Sequence, residues 1–127
     1  MSDLKMRTIL IVDDDEGPLS ALQEALEAYY TIVATQTLNS AISTLESKES
    51  TIDMVITDYH LGKSGTANDL IHHIRTHMYL KVRNLPILVI TADKSQKYFI
   101  ETQNCEFMTK PFKLAQLLES IKNKIGE

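Results

Sequence analysis

Apolar residues gather in five short blocks, with stretches of helical spacing between them. Thr8–Val12, Thr31–Ala34, Asp53–Thr57, Pro86–Thr91 and Glu106–Thr109 read as strands. They are rich in β-branched residues and barely alternate, as strands do when both faces are covered. In the intervening segments apolar positions recur every three or four residues. Leu19, Leu22, Ala25 and Leu26 share one helical face, and Leu38, Ala41, Ile42 and Leu45 share another. Leu70, Ile71, Ile74 and Met78 mark a third helix, and Leu114, Leu117, Leu118, Ile121 and Ile125 the last. The fourth crossover, near Ser95–Thr102, has the weakest signal, because Tyr98, Phe99 and Ile100 are consecutive rather than spaced for one face. At least one of Tyr98 and Phe99 is expected in the core, and the pair is a candidate partner surface. Pro18 suits the first turn of a helix, and Asn104 the left-handed position after one.

Strands alternating with helices predict right-handed βαβ crossovers, hence a doubly wound α/β fold with a parallel sheet and helices on both faces. The ligand crevice of such a sheet lies beyond the carboxyl ends of its strands, where strand order reverses. Asp13 and Asp14 end the first strand, Asp58 the third, Thr91 the fourth and Lys110 the fifth. The topology therefore carries these side chains to one edge.

Composition narrows the class. Hydrophobic residues at 43% and charged residues at 24% exclude a disordered chain. With 127 residues and no linker-like stretch, one domain over residues 1–127 is expected, with no output domain after the last helix. A net charge of −4 gives no electrostatic drive toward a polyanion, so nucleic acid is not expected as a direct ligand. The single Cys105 cannot form an internal disulfide, which suits a reducing compartment. Met1-Ser2-Asp3-Leu4-Lys5 lacks an apolar leader, and no apolar run has the length of a membrane span. The expected setting is the cytoplasm, without a membrane partner.

Clustered carboxylates repel one another until a cation makes their charged forms favourable. An all-oxygen set without Cys suits Mg²⁺, or Mn²⁺ in its place, rather than zinc. A carboxylate beside such a cation can attack phosphorus and form an aspartyl phosphate, and catalysis is then mostly positioning and charge neutralisation. Asp58 stands alone on its strand end and is the natural nucleophile, whereas Asp13 and Asp14 form a pair suited to metal. Lys110 and the Thr91 hydroxyl can each meet a phosphoryl oxygen, and small Ala92 leaves room for a donor.

The segments Ile9–Glu16, Met54–Leu61, Pro86–Ala92 and Phe107–Phe112 together resemble the receiver domain of two-component response regulators, in order and over nearly the whole chain. The resemblance implies a flavodoxin-like strand order 2-1-3-4-5 and phosphorylation of Asp58 by a histidine kinase or a histidine phosphotransfer protein. It implies Mg²⁺ held by Asp14, Asp58 and the backbone carbonyl of His60, with Asp13 assisting through water. By the same resemblance Thr91 and Lys110 contact the phosphoryl group, the Lys110–Pro111 peptide is cis, and movement of Thr91 lets Phe107 turn inward. That coupling would switch the face made by the fourth-crossover helix, the fifth strand and the last helix, for a downstream protein the sequence does not identify. The chain would catalyse only its own phosphorylation and dephosphorylation.

Four positions depart from the family. Gly62 replaces a common proline, predicting a more mobile loop after Asp58. The Thr91-to-Lys110 spacing of 19 is short, which puts the fourth-crossover helix in question. Gln103-Asn104 replaces a Gly-Ala pair, and Phe107 replaces a more common tyrosine. His60 and Asp93 flank the site where the family tunes phosphoryl lifetime. Two other readings compete: a small haloacid-dehalogenase-like phosphohydrolase with Asp13 attacking and Asp15 as general acid, and a pseudo-receiver that only binds partners. His73 and His77 lie four apart, but with no third ligand nearby in sequence they read as a solvated polar face.

Overall fold

Strands β1 (Thr8–Val12), β2 (Thr31–Thr35), β3 (Met54–Asp58), β4 (Ile87–Thr91) and β5 (Glu106–Thr109) pair in parallel, in the order β2-β1-β3-β4-β5. The computed structural model describes residues 6–48 and 51–126; Met1–Lys5, read above for a leader, lie outside the described residues. The helices are α1 (Glu16–Leu26), α2 (Leu38–Lys48), α3 (Ala67–Arg75), α4 (Leu80–Arg83), α5 (Lys97–Thr102) and α6 (Leu114–Ile125). Among the described residues no helix is long and apolar enough to cross a membrane.

The sheet separates two cores, which is why its strands do not alternate with polar residues. Leu10, Val12, Val55 and Val89 pack on one face with Leu38, Leu45, Leu70, Ile74 and Ile100 from α2, α3 and α5. Ile9, Ile11, Ile56, Leu88 and Ile90 pack on the other with Leu19 and Leu26 of α1 and Leu117 and Ile121 of α6. Successive residues of a strand point to opposite faces, so each strand feeds both cores. Register then fixes the edge: Val12 pairs with Thr57, Asp58 with Ile90, and Thr91 with Thr109. Asp13, Asp58 and Lys110 follow as neighbours at the point where strand order reverses.

Several expectations need correction. The third helix stops at Arg75, where the Thr76 hydroxyl donates back to the His72 carbonyl at 2.7 Å and His77 N–H reaches the Ile74 carbonyl. Met78, assigned above to that helix, is therefore 79% exposed. Neither Tyr98 nor Phe99 enters the core: both are exposed, and Ile100 takes the buried place. Leu114 opens α6 on its exposed side. His77 is buried, not on a solvated face, and lies past the helix end. The fourth crossover is a 3-10 turn, Lys94–Gln96, running into a six-residue α5, which accounts for the short spacing.

At the opposite, amino end of the sheet one side chain gathers the loops. The Arg75 guanidinium donates to the carbonyls of Gln103, Arg83, Leu85 and Asn104 at 2.8–3.0 Å and to Cys105 Sγ at 3.7 Å. It thus ties the end of α3 to α4, to the entry of β4 and to the turn before β5. Asn104, expected at the left-handed position after a helix, adopts a φ of 60°.

Candidate functional site

Asp13 is the first residue beyond β1. Its N–H donates to the Thr35 carbonyl at 3.1 Å, which extends the ladder by one residue. Its carboxylate accepts from the Asp15 N–H at 3.0 Å and is buried to 8% exposure. Asp58 closes β3, with one oxygen accepting the Tyr59 N–H at 2.7 Å. The other lies 3.3 Å from Lys110 Nζ. Lys110 is placed from β5 by its own N–H, which donates to the Thr91 carbonyl at 3.1 Å, and its ammonium also lies 3.9 Å from Asp13. The peptide between Lys110 and Pro111 is cis.

Carboxylate oxygens of Asp13, Asp14 and Asp58 all lie within 4.8 Å of one another. Burial pushes the Asp13 carboxyl above the ordinary carboxylate range, and the charges of Asp58 and Asp14 push the same way. The Asp15 N–H and Lys110 pull against this without cancelling it. Such a set is short of positive charge, and its all-oxygen donors and exposed Asp14 fit a hard, partly hydrated dication such as Mg²⁺.

A carboxyl with a raised folded pKa contributes stability below its unfolded value and loses it as pH rises through the folded one. Ionised Asp13 therefore costs the metal-free protein stability at neutral pH. Asp13→Asn is expected to raise the metal-free Tm by a few degrees at pH 7. The gain should vanish in acid, and the Tm rise on adding Mg²⁺ should shrink. Thermal melts across pH, with and without Mg²⁺, check all three.

The loop after Asp58 is fastened despite Gly62. Ser64 Oγ donates to the Leu61 carbonyl at 2.6 Å and accepts the Leu38 N–H at 3.0 Å, while Leu61 N–H bonds the Gly65 carbonyl. Gly62 itself has φ +64°, and a Cβ there would sit 3.1 Å from Asp14 Oδ2. Proline cannot adopt that φ. Glycine is what lets the loop pass close to Asp14.

The remaining predicted residues surround the carboxylates. Thr91 is buried, and its Oγ1 accepts the Asp93 N–H at 3.2 Å, which leaves the hydroxyl proton for another acceptor. The His60 ring is exposed, with Nε2 3.4 Å from an Asp93 oxygen, so it links the β3 and β4 loops. The Ser95 hydroxyl and N–H, and then His60, hold Asp93 below the usual carboxylate range. Phe107 is half-buried against the core that contains Ile100. Asp15 takes a different part: it caps α1 by accepting the Gly17 N–H at 3.2 Å. Beside Asp58 and Lys110 an apolar crevice opens, lined by Pro18, Leu19, Leu22 and Phe112.

The family model of the response regulator receiver domain matches residues 9–122. A protein of Arabidopsis thaliana named as a two-component response regulator, ARR21, is 29% identical over 91 residues. That stretch is 70% of this chain but only 14% of the relative, so the chain matches a small part of the longer protein. A response regulator receiver domain protein from Clostridium thermocellum shares the fold with a TM-score of 0.86 at 18% identity, covering 94% of each chain. The non-phosphorylated HemR receiver domain from Leptospira biflexa is 28% identical with a TM-score of 0.82, covering 95% of each chain.

Proposed function

Because this chain belongs to the response regulator receiver domain family of two-component signalling, we propose that Asp58 accepts a phosphoryl group and thereby switches the face formed by α5, β5 and α6. The observation that carries this reading is the approach of Lys110 Nζ to 3.3 Å from Asp58 inside a pocket of three carboxylates. The donor is the phosphohistidine of a kinase or a phosphotransfer protein. An Asp58 oxygen bonds phosphorus as the P–N bond breaks, and the electron pair and a solvent proton go to the imidazole nitrogen. The Tyr59 N–H holds one Asp58 oxygen and leaves the one nearer Lys110 to attack.

Asp13, Asp14, Asp58 and the His60 carbonyl would hold Mg²⁺, which supplies charge neutralisation at the phosphoryl oxygens. Lys110 takes a second oxygen and the Thr91 hydroxyl donates to a third. Drawing Thr91 toward the phosphoryl group loosens β4 against β5 and frees room for Phe107 to turn inward. A local charge change thus shifts the population of the α5–β5–α6 face. The chain acts on no substrate beyond its own aspartate, and a cytoplasmic setting goes with its free Cys105 thiol. Asp15, engaged as the cap of α1, is poorly placed for the general-acid part a phosphohydrolase would need.

Incubation with acetyl phosphate and Mg²⁺ should add the mass of one phosphoryl group per chain, and a chelator should abolish the addition. Phosphoester substrates should show no turnover. Steady hydrolysis, or no adduct with Mg²⁺ present, would overturn the reading.

A further inference from the structure

A second cluster of ligating side chains lies away from the acidic pocket, where α2 meets the end of α3. His73 Nε2 and His77 Nε2 approach the same Glu46 oxygen at 3.0 and 2.9 Å. The three ligand atoms lie within 4.8 Å of one another. The His77 side chain is 6% exposed, and its ring is set against His73 at 5.7 Å and Tyr79 at 5.4 Å between centroids. Leu45 and Ile74, fully buried next to Glu46 and His73, fix the two backbones that present the site. Both imidazole N–H groups hold Glu46 below the ordinary carboxylate range, so it is an anion at neutral pH. Sequence spacing hid this set because the third ligand comes from another helix.

We propose that Glu46, His73 and His77 form a binding site for a borderline transition-metal dication, with Zn²⁺ as the representative. Two imidazole nitrogens and one carboxylate are a familiar donor set for tetrahedral zinc, with water in the fourth position. Mg²⁺ prefers all-oxygen ligands and does not compete here. Glu46 is half exposed and gives the ion an entry path.

One hydrogen bond opposes binding. Tyr79 N–H donates to His77 Nδ1 at 3.1 Å, so the ring proton of neutral His77 sits on Nε2. A metal at Nε2 displaces that proton to Nδ1, and the Tyr79 N–H must turn away. The lost bond lowers affinity about fivefold. The metal–ligand bonds outweigh it, and Tyr79 is more than half exposed, so water can take up its freed N–H. Metal binding therefore carries its own signature at the Tyr79 amide.

The test is Zn²⁺ titration of the full chain by calorimetry in excess Mg²⁺, which keeps the acidic pocket occupied. One Zn²⁺ per chain is expected, and Asp13→Asn should retain it. His73→Asn and Glu46→Gln, both at partly exposed positions, should each weaken binding about tenfold or more. The Tyr79 amide resonance should move with zinc in the native chain and should need about tenfold more zinc or above to move in His73→Asn. No saturable zinc, equal affinity in native chain and both variants, or loss in Asp13→Asn would each overturn the site. None of these outcomes depends on Asp58 accepting a phosphoryl group.

Discussion

Asp58→Asn is expected to reduce phosphoryl uptake from acetyl phosphate by at least about a thousandfold, because the covalent route closes with the nucleophile. The change is close to isosteric. The amide oxygen can still accept the Tyr59 N–H that the carboxylate accepts now at 2.7 Å. What goes is the anion facing Lys110 at 3.3 Å and one of the charges that hold the Asp13 carboxyl up. Relieving that repulsion offsets the lost ion pair, so the metal-free Tm should fall little or rise. An unlabelled variant that melts like the parent ties the defect to chemistry rather than folding. Parallel mass spectra and melts of the two proteins make the comparison.

Arg75→Ala is expected to destabilise the fold by roughly 2–4 kcal/mol, lowering Tm by about 8–15 °C. Four carbonyls lose a charged donor at once, and the Gln103-Asn104 turn loses its tether to α3. The loss stays below four full charged hydrogen bonds because Arg75 is only partly buried and water can reach the freed Asn104 carbonyl. Arg75→Lys should rescue little, since an ammonium cannot reproduce the planar fork that reaches four acceptors. Asp58 sits at the other end of the sheet, so below its melting temperature the alanine variant should still accept phosphoryl. Denaturation curves and acetyl phosphate labelling at low temperature check both halves.

Legibility in the sequence followed interaction range. Strand blocks such as Ile9–Val12 and Met54–Thr57 were readable because burial on both faces demands uninterrupted apolar runs. The gathering of Asp13, Asp58 and Lys110 was readable because parallel topology maps strand ends to one edge. Met78 misled because it keeps the i, i+4 spacing of Ile74, while the hydroxyl of Thr76 bonds back to His72 and the chain leaves the helix. Tyr98 and Phe99 misled because α5 has only six residues and room for one deeply buried side chain, Ile100. Arg75 gave no signal, since its partners are backbone carbonyls that no residue type announces. Glu46 on α2 meets His77 from the segment just past α3, and only the packed fold reveals their distance.

Reductive trapping of the phosphorylated chain addresses the central claim most directly. Borohydride converts an aspartyl phosphate to homoserine, and peptide mass spectrometry reads the position. Conversion confined to residue 58, dependent on Mg²⁺ and lost with a chelator, is the result this account predicts. Conversion at Asp13 or Asp14, a phosphoryl group retained on a histidine, or no conversion at all would contradict it.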